Sequence, residues 1–477
     1  MVNPKMPRSQ RLAWLEGIRS VAAVMLLLYH AQLLFTGYAY TPQPTGLIEN
    51  LRQLLTPVEG TGAIDPGFFL RLLGIPTWFG FQFVDVFVLI SGFSLVLSVK
   101  DQHLEVGSFL KRRLLRILWP FWTVAWLSYP MLWAIGVATH SYIPSVWHTF
   151  AGATFPLLFD YGGELLLATS GPWWFVPLII SFTIVFPFLW HLLQRWGPRN
   201  LLVVSTLITL VYRVLATYQF GGHPTYVILD TPTDWHPFLL FVSKLSTFVV
   251  GMVVARLYTQ GKGPVFWKPQ RAFLVGLLLY TIGFVCQFYR AGWVVVDLLL
   301  PMGLALCCMV VFRAIAQPRW MQSILVWLGA HSYSYFLIHN FVVDRTVRLV
   351  IQDDLSLYYW LLPLMVIGTL ILAVLADYAT PMIQRVVLGL LRDLDYVLTR
   401  TTVPPRRRWS SCVGDEVLYQ QKAGWTILKV EKLLDEREFF LCQISDGRRS
   451  LWVNEDDLEP VAKRSGSDAV GRNSAFF

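Results

Sequence analysis

The 477-residue chain is 55% hydrophobic and only 14% charged, with a mean hydropathy of +0.52 and a formal net charge of +9. An ordinary soluble domain carries about a quarter charged residues. The composition therefore excludes a disordered chain, a nucleic-acid-binding protein and a single soluble globule. It implies that lipid is the main solvent. The average hides a division: residues 402–477 hold 12 basic and 12 acidic side chains, whereas the preceding residues are sparsely charged and carry the whole positive excess. Two regions with different surroundings follow.

A spanning helix needs about 20 mainly apolar residues. Such runs fall at 17–36, 78–99, 117–137, 173–193, 200–219, 238–258, 272–289, 292–314, 321–341 and 358–380. Residues 145–170, interrupted by Pro156, Asp160, Gly162, Gly163 and Glu164, read as a partly inserted or surface segment. Basic residues cluster at the N-terminus and after the second, fourth, sixth, eighth and tenth runs, among them Arg112, Arg195, Lys262, Arg319 and Arg392. Ten spans put all of these on one side, so the positive-inside rule predicts that both termini are cytosolic. The apolar run after the basic start reads as a retained helix. No internal repeat stands out. The five cysteines show no spacing for a disulfide framework or a zinc site, and no bound cofactor or metal is expected. The expected fold is an all-α polytopic membrane protein of about ten transmembrane helices, with a small C-terminal β-barrel-like cytosolic module.

In the first run, Arg19 and His30 are eleven helical steps apart, about 20° from three full turns, and so share a face about 16.5 Å apart along the axis. An ionisable group inside a membrane faces a cavity or a partner, and imidazole suits general base work. A packed histidine on a backbone carbonyl, with Arg19 reaching headgroups, is the competing reading. Arg113 and Arg116 share a helix face after the second run and suit phosphate, although a topology signal alone also explains them. In Val84–Phe93, Asp85 interrupts an apolar run, and Ser91-Gly92 leaves room for a ligand or another helix. Tyr335 and His339 are neighbours on one face, either as a structural pair or as a catalytic one. Trp173-Trp174-Phe175 fits an interfacial aromatic belt.

Together and in order, these motifs resemble the membrane acyltransferase-3 family: Leu15 to Arg19 leading to Tyr29-His30, the arginine–ten residues–histidine spacing, Val84 to Phe93, Arg113-x-x-Arg116, Trp174-Phe175, and Ser332 through His339. Glu16 stands where the family commonly has Asp. Val86-Phe87-Val88 and Gly171-Pro172-Trp173 also depart from its pattern. The resemblance covers about residues 11–392. It implies acyl transfer, often of acetyl, from acyl-CoA as cosubstrate to a hydroxyl of a small molecule, lipid or glycan. It assigns His30, Tyr335 and His339 to catalysis. Arg19, Arg113 and Arg116 would hold the coenzyme A phosphates, and Asp85, Ser91, Gly92 and Trp174 would line the substrate pocket. A proton-coupled transporter using buried His and Asp residues, with Arg213, Lys244 and Asp297 as further intramembrane charges, is the alternative. A non-catalytic scaffold is a third reading.

Residues 1–400 thus form the acyltransferase-3-like transmembrane domain and 401–410 a basic linker. Residues 411–461 form a small SH3- or Tudor-like β module, and 462–477 a disordered tail. In the module, Glu416–Tyr419, Trp425–Val430, Phe439–Ile444 and Ser450–Val453 read as strands, with a hairpin at Ser445–Arg448. Its aromatics suit a protein or peptide ligand, or simply a core.

Overall fold

The computed structural model describes residues 12–37, 41–56, 75–99, 104–140, 143, 171–225, 227, 240–400, 414–419, 422–432, 440–454 and 458–460. The expected surface segment at 145–170, the basic linker 401–410 and the tail 462–477 lie largely or wholly outside these residues. The chain divides into two compact units, Met1–Val387 and Leu388–Phe477.

The first unit is helical. Its elements are α1 (Ala13–Phe35), α2 (Leu47–Leu55), α3 (Phe83–Val99), α4 (Val106–Thr139), α5 (Phe175–Val214), α6 (Phe241–Thr259), α7 (Pro269–Cys286), α8 (Val296–Ile315), α9 (Arg319–Thr346) and α10 (Leu355–Arg400), which runs on into the second unit. Helices satisfy every backbone group internally, which lipid demands. Among the described residues, eight helical stretches are long and apolar enough to cross a membrane, against ten expected. The difference has two causes. The fourth and fifth expected spans are continuous in one 48-residue stretch, Pro172–Gln219. That stretch is broken at Gly197, whose φ of 78° and ψ of 168° are non-helical. Pro198 follows, with a fixed φ suited to restarting a helix. The ninth expected span is α9, which falls outside the eight and carries Ser332, Ser334, His339 and Asn340, all buried.

Paired contacts fix the helix directions. Glu16 packs against Gly329 and His30 against His339, so α1 and α9 run parallel. Arg19 reaches Ser94, while Tyr29 packs on Gly80 in the turn leading into α3, so α1 and α3 run antiparallel. Asp85 pairs with Lys244, and Gly92 packs on Phe248, so α3 and α6 run parallel. The α3–α6 crossing is close. A Cβ on Gly92 would stand 2.2 Å from the Phe248 carbonyl oxygen, and one on Gly251 2.0 Å from that of Leu89. Small residues let membrane helices approach this far. The core is built from Leu26, Leu27, Val86, Phe121, Phe182 and Phe248, with many further aliphatic residues of α1, α3–α6 and α9.

The second unit contains a five-stranded antiparallel sheet of order β4-β3-β2-β1-β5: β1 (Glu416–Tyr419), β2 (Lys422–Lys432), β3 (Phe440–Ser445), β4 (Ser450–Asn454) and β5 (Leu458–Pro460). The β3–β4 turn forms as the sequence predicts. Gly447 has φ 83°, and the Asp446 carboxylate accepts from the amides of Arg448 and Arg449. Val417, Trp425, Ile427, Cys442, Ile444, Val453 and Leu458 form the module's core. Trp425 is therefore a core residue, with Tyr419 edge-on to it, whereas Trp452 is 45% exposed.

Candidate active site

A cavity of about 470 Å³ lies inside the helical unit. Each of its walls comes from a different part of the chain. α1 supplies Leu26, Tyr29, His30, Leu33 and Leu34, and the loop after it supplies Thr41 and Gln43. The turn leading into α3 supplies Gln82, the start of α3 supplies Val84 and Asp85, and the turn before α5 supplies Trp174. α6, α8 and α9 add Lys244, Asp297, Phe336 and Asn340. Of the residues that the sequence assigns to the site, His30, Asp85 and Trp174 line this space.

His30 is half-buried. Its Nδ1 lies 2.8 Å from the Leu26 carbonyl oxygen and 3.0 Å from Nε2 of His339. His339 is fully buried, with Nδ1 2.5 Å from the Phe336 carbonyl oxygen, and it is not among the lining residues. Tyr335 is buried, and its hydroxyl has no hydrogen-bond partner among the described residues. It does not line the cavity. Ser91 and Gly92 stand away from it as well: Gly92 faces α6 at the close crossing. The two tryptophans of the Gly171–Trp174 turn divide their tasks. Trp173 is buried and donates from Nε1 to the Leu337 carbonyl at 2.9 Å, which anchors the turn to α9. Trp174 is left to face the cavity.

Asp85, Lys244 and Asp297 line the cavity and, with Arg213, form a group of four buried charges from four helices. Lys244 Nζ is 2.9 Å from Asp85 Oδ1, and it also pairs with Asp297. Arg213 donates from Nη1 to Asp297 Oδ2 at 2.6 Å, and from Nε to the carbonyls of Trp293 and Val294 at 3.0 Å. Two carboxylates and two cations leave this group neutral, and charges enclosed in lipid need such pairing. The sequence identifies the four as intramembrane charges but not as one cluster, because the partners lie 53 to 159 positions apart.

Arg19, Arg113 and Arg116 also come together. Arg19 donates from Nη1 to both Glu16 carboxylate oxygens at 2.9 and 3.1 Å, and from Nη2 to Ser94 Oγ at 2.5 Å. Glu16 is buried because α9 presents Gly329 to it: a Cβ there would stand 2.4 Å from Glu16 Oε2. Arg113 lies within electrostatic reach of Arg19, Arg116 and Tyr333. Among the described residues neither Arg113 nor Arg116 has an ion-pair partner, and Arg113 Nε is buried without a hydrogen bond. Three guanidiniums against the one Glu16 carboxylate make this an electropositive site. Ser94 and Gly329 are neighbours of Arg19 and Glu16 that motif reading misses, since nothing local marks them.

The chain matches the family model described as an acyltransferase domain over residues 12–378. No curated protein and no solved structure matches it.

Proposed function

Because the chain belongs to the acyltransferase-3 family and is an integral membrane acyltransferase, we propose that it moves an acyl group, acetyl being the simplest, from acyl-CoA to a hydroxyl on a small molecule, lipid or glycan. The observation that carries this reading is the pairing of an electropositive arginine cluster with a histidine-lined cavity along one helix. Arg19 and His30 stand on the same face of α1, about 16.5 Å apart along its axis. Arg19, Arg113 and Arg116 hold the coenzyme A phosphates with planar, two-pronged donors. The pantetheine arm follows α1 towards His30. His30 takes the proton of the acceptor hydroxyl as its oxygen attacks the thioester carbonyl. The C–S bond then breaks, and the thiolate takes the proton back from His30. Asp85 and Trp174 contact the acceptor in the cavity.

We read the topology as ten crossings with both termini cytosolic. The helix directions support it. With α5 as a single crossing, α6 would run antiparallel to α3, and α9 antiparallel to α1. Both pairs run parallel, which fits a reversal at Gly197. The arginines and His30 then lie towards opposite faces, as transfer from a cytosolic donor to an acceptor reached from the other side requires. The C-terminal module is a cytosolic domain for a protein or peptide ligand.

The test is label transfer by purified protein in proteoliposomes supplied with acetyl-labelled coenzyme A and a lipid and glycan extract from the source membranes. A labelled product that depends on acyl-CoA supports the reading. Extract solutes crossing the bilayer without acyl-CoA, with no labelled product, would support the proton-coupled transporter instead, for which the four buried charges are the favouring observation.

A further inference from the structure

The two histidines that meet at the cavity wall are not equivalent, and their hydrogen bonds say which does what. A backbone carbonyl oxygen only accepts a hydrogen bond. His30 Nδ1 lies 2.8 Å from the Leu26 carbonyl oxygen and His339 Nδ1 lies 2.5 Å from that of Phe336. Each ring therefore carries its hydrogen on Nδ1. A neutral His339 then has a lone pair at Nε2, and that atom stands 3.0 Å from His30 Nδ1. The Nδ1–H of His30 is shared between two acceptors, Leu26 O and His339 Nε2. A hydrogen on His339 Nε2 would instead set two N–H groups against each other.

The lone pair left over is His30 Nε2, on the ring that lines the cavity. His339 has no exposed surface and does not line it. We propose that His339 is the positioning residue of the reaction: it holds His30 in the Nδ1–H tautomer with Nε2 turned to the acceptor hydroxyl, and it stabilises the imidazolium while His30 holds the proton. This rests on the reading of His30 as the base. The ring nitrogen that reacts is set by the bond that the other one makes. When Nε2 takes the acceptor's proton, the His30 Nδ1–H···Nε2 His339 bond becomes charge-assisted and stronger. A carboxylate in this place would bring a permanent buried charge, which is costly in so apolar a setting. A neutral imidazole gives the same orientation and adds no charge between turnovers. The proton returns from His30 Nε2 to the departing thiolate, so His339 neither gains nor loses one.

The experiment compares acetyl transfer by His339→Phe, which fills the space and removes the acceptor atom, and His339→Gln, whose side-chain oxygen can still accept from His30. His30→Ala and the unaltered protein are run beside them. All are judged folded by a single size-exclusion peak in detergent. His339→Phe is expected to lower kcat roughly 10- to 100-fold, less than or equal to loss of the base itself, with the KM for acetyl-CoA unchanged. His339→Gln should recover most of that loss. Equal kcat in the unaltered protein and His339→Phe, with His30→Ala inactive, overturns the positioning role and leaves the base assignment standing. Equal losses in the Phe and Gln variants overturn it too, since packing alone would then explain them. Full activity of His30→Ala overturns the base assignment and this role with it. If His339→Phe does not fold, nitrogen-15 spectra of histidine-labelled protein decide. The signal absent from His30→Ala should show the Nδ1–H tautomer, and an Nε2–H tautomer there contradicts the proposal.

Discussion

Lys244→Met should markedly destabilise the helical unit. The methionine keeps the length and apolar body of the side chain and removes only the ammonium group. Lys244 is the ion-pair partner of Asp85, at 2.9 Å, and shares Asp297 with Arg213. Without it, Arg213 still serves Asp297, but Asp85 is left 8% exposed with no cation among the described ion pairs. Breaking a buried pair from one side costs about 3–5 kcal/mol, because a charge stays behind unpaired. In thermal unfolding of the detergent-solubilised protein that is a drop of roughly 4–6 °C, from about 2.1 cal/mol/K of unfolding entropy per residue over Met1–Val387. Asp85→Asn on the Lys244→Met background removes the stranded carboxylate and should return at least half of the loss. The double variant therefore melts above the single one, although it carries one more substitution. A single variant that melts with the unaltered protein, or a double variant that melts lower still, would refute the view that the four charges act as one neutral unit.

Two further outcomes follow from the packing and the charge. Gly92→Ala should cost about 1–3 kcal/mol by overpacking, because its Cβ would meet the Phe248 carbonyl at 2.2 Å and the helices would have to part. Thermal unfolding of that variant measures it, and an unchanged midpoint would mean that α3 and α6 are not so close. Arg113→Ala or Arg116→Ala should raise the KM for acyl-CoA several-fold with little change in kcat, since each removes one phosphate-binding cation. An unchanged KM in steady-state assays would leave these arginines as topology signals only.

The helices were legible because lipid imposes a length and an apolarity on them that few other sequences meet. The β module was legible from its short strands and the Asp446-Gly447 turn. What the sequence withheld was partnership. Arg19 and His30 share one helix, so elementary geometry placed them. Lys244 finds Asp85 at a separation of 159 residues, and His339 finds His30 at 309. No local period reports such a contact. α9 shows the opposite difficulty. Its polar residues lower its apolarity, yet they face inward to His30, Asp377 and Glu16, where His331 Nδ1 lies 2.5 Å from Asp377 Oδ2 and Gly329 covers Glu16. Polarity that would argue against a span is here spent on the interior. Ser91-Gly92 reads as a ligand niche or a helix contact, with the contact favoured for Gly92 alone, and backbone approach distances place Gly92 at the contact.

Whether His30 is the base of acyl transfer from acyl-CoA is decided by a single comparison. The unaltered protein and His30→Ala, purified and reconstituted at equal amounts, are given acetyl-labelled coenzyme A and the membrane extract, and labelled product is counted. His30→Ala should keep its size-exclusion profile and its three arginines but lose about 10²–10⁴-fold in transfer. A folded His30→Ala protein that transfers label at the unaltered rate would contradict it.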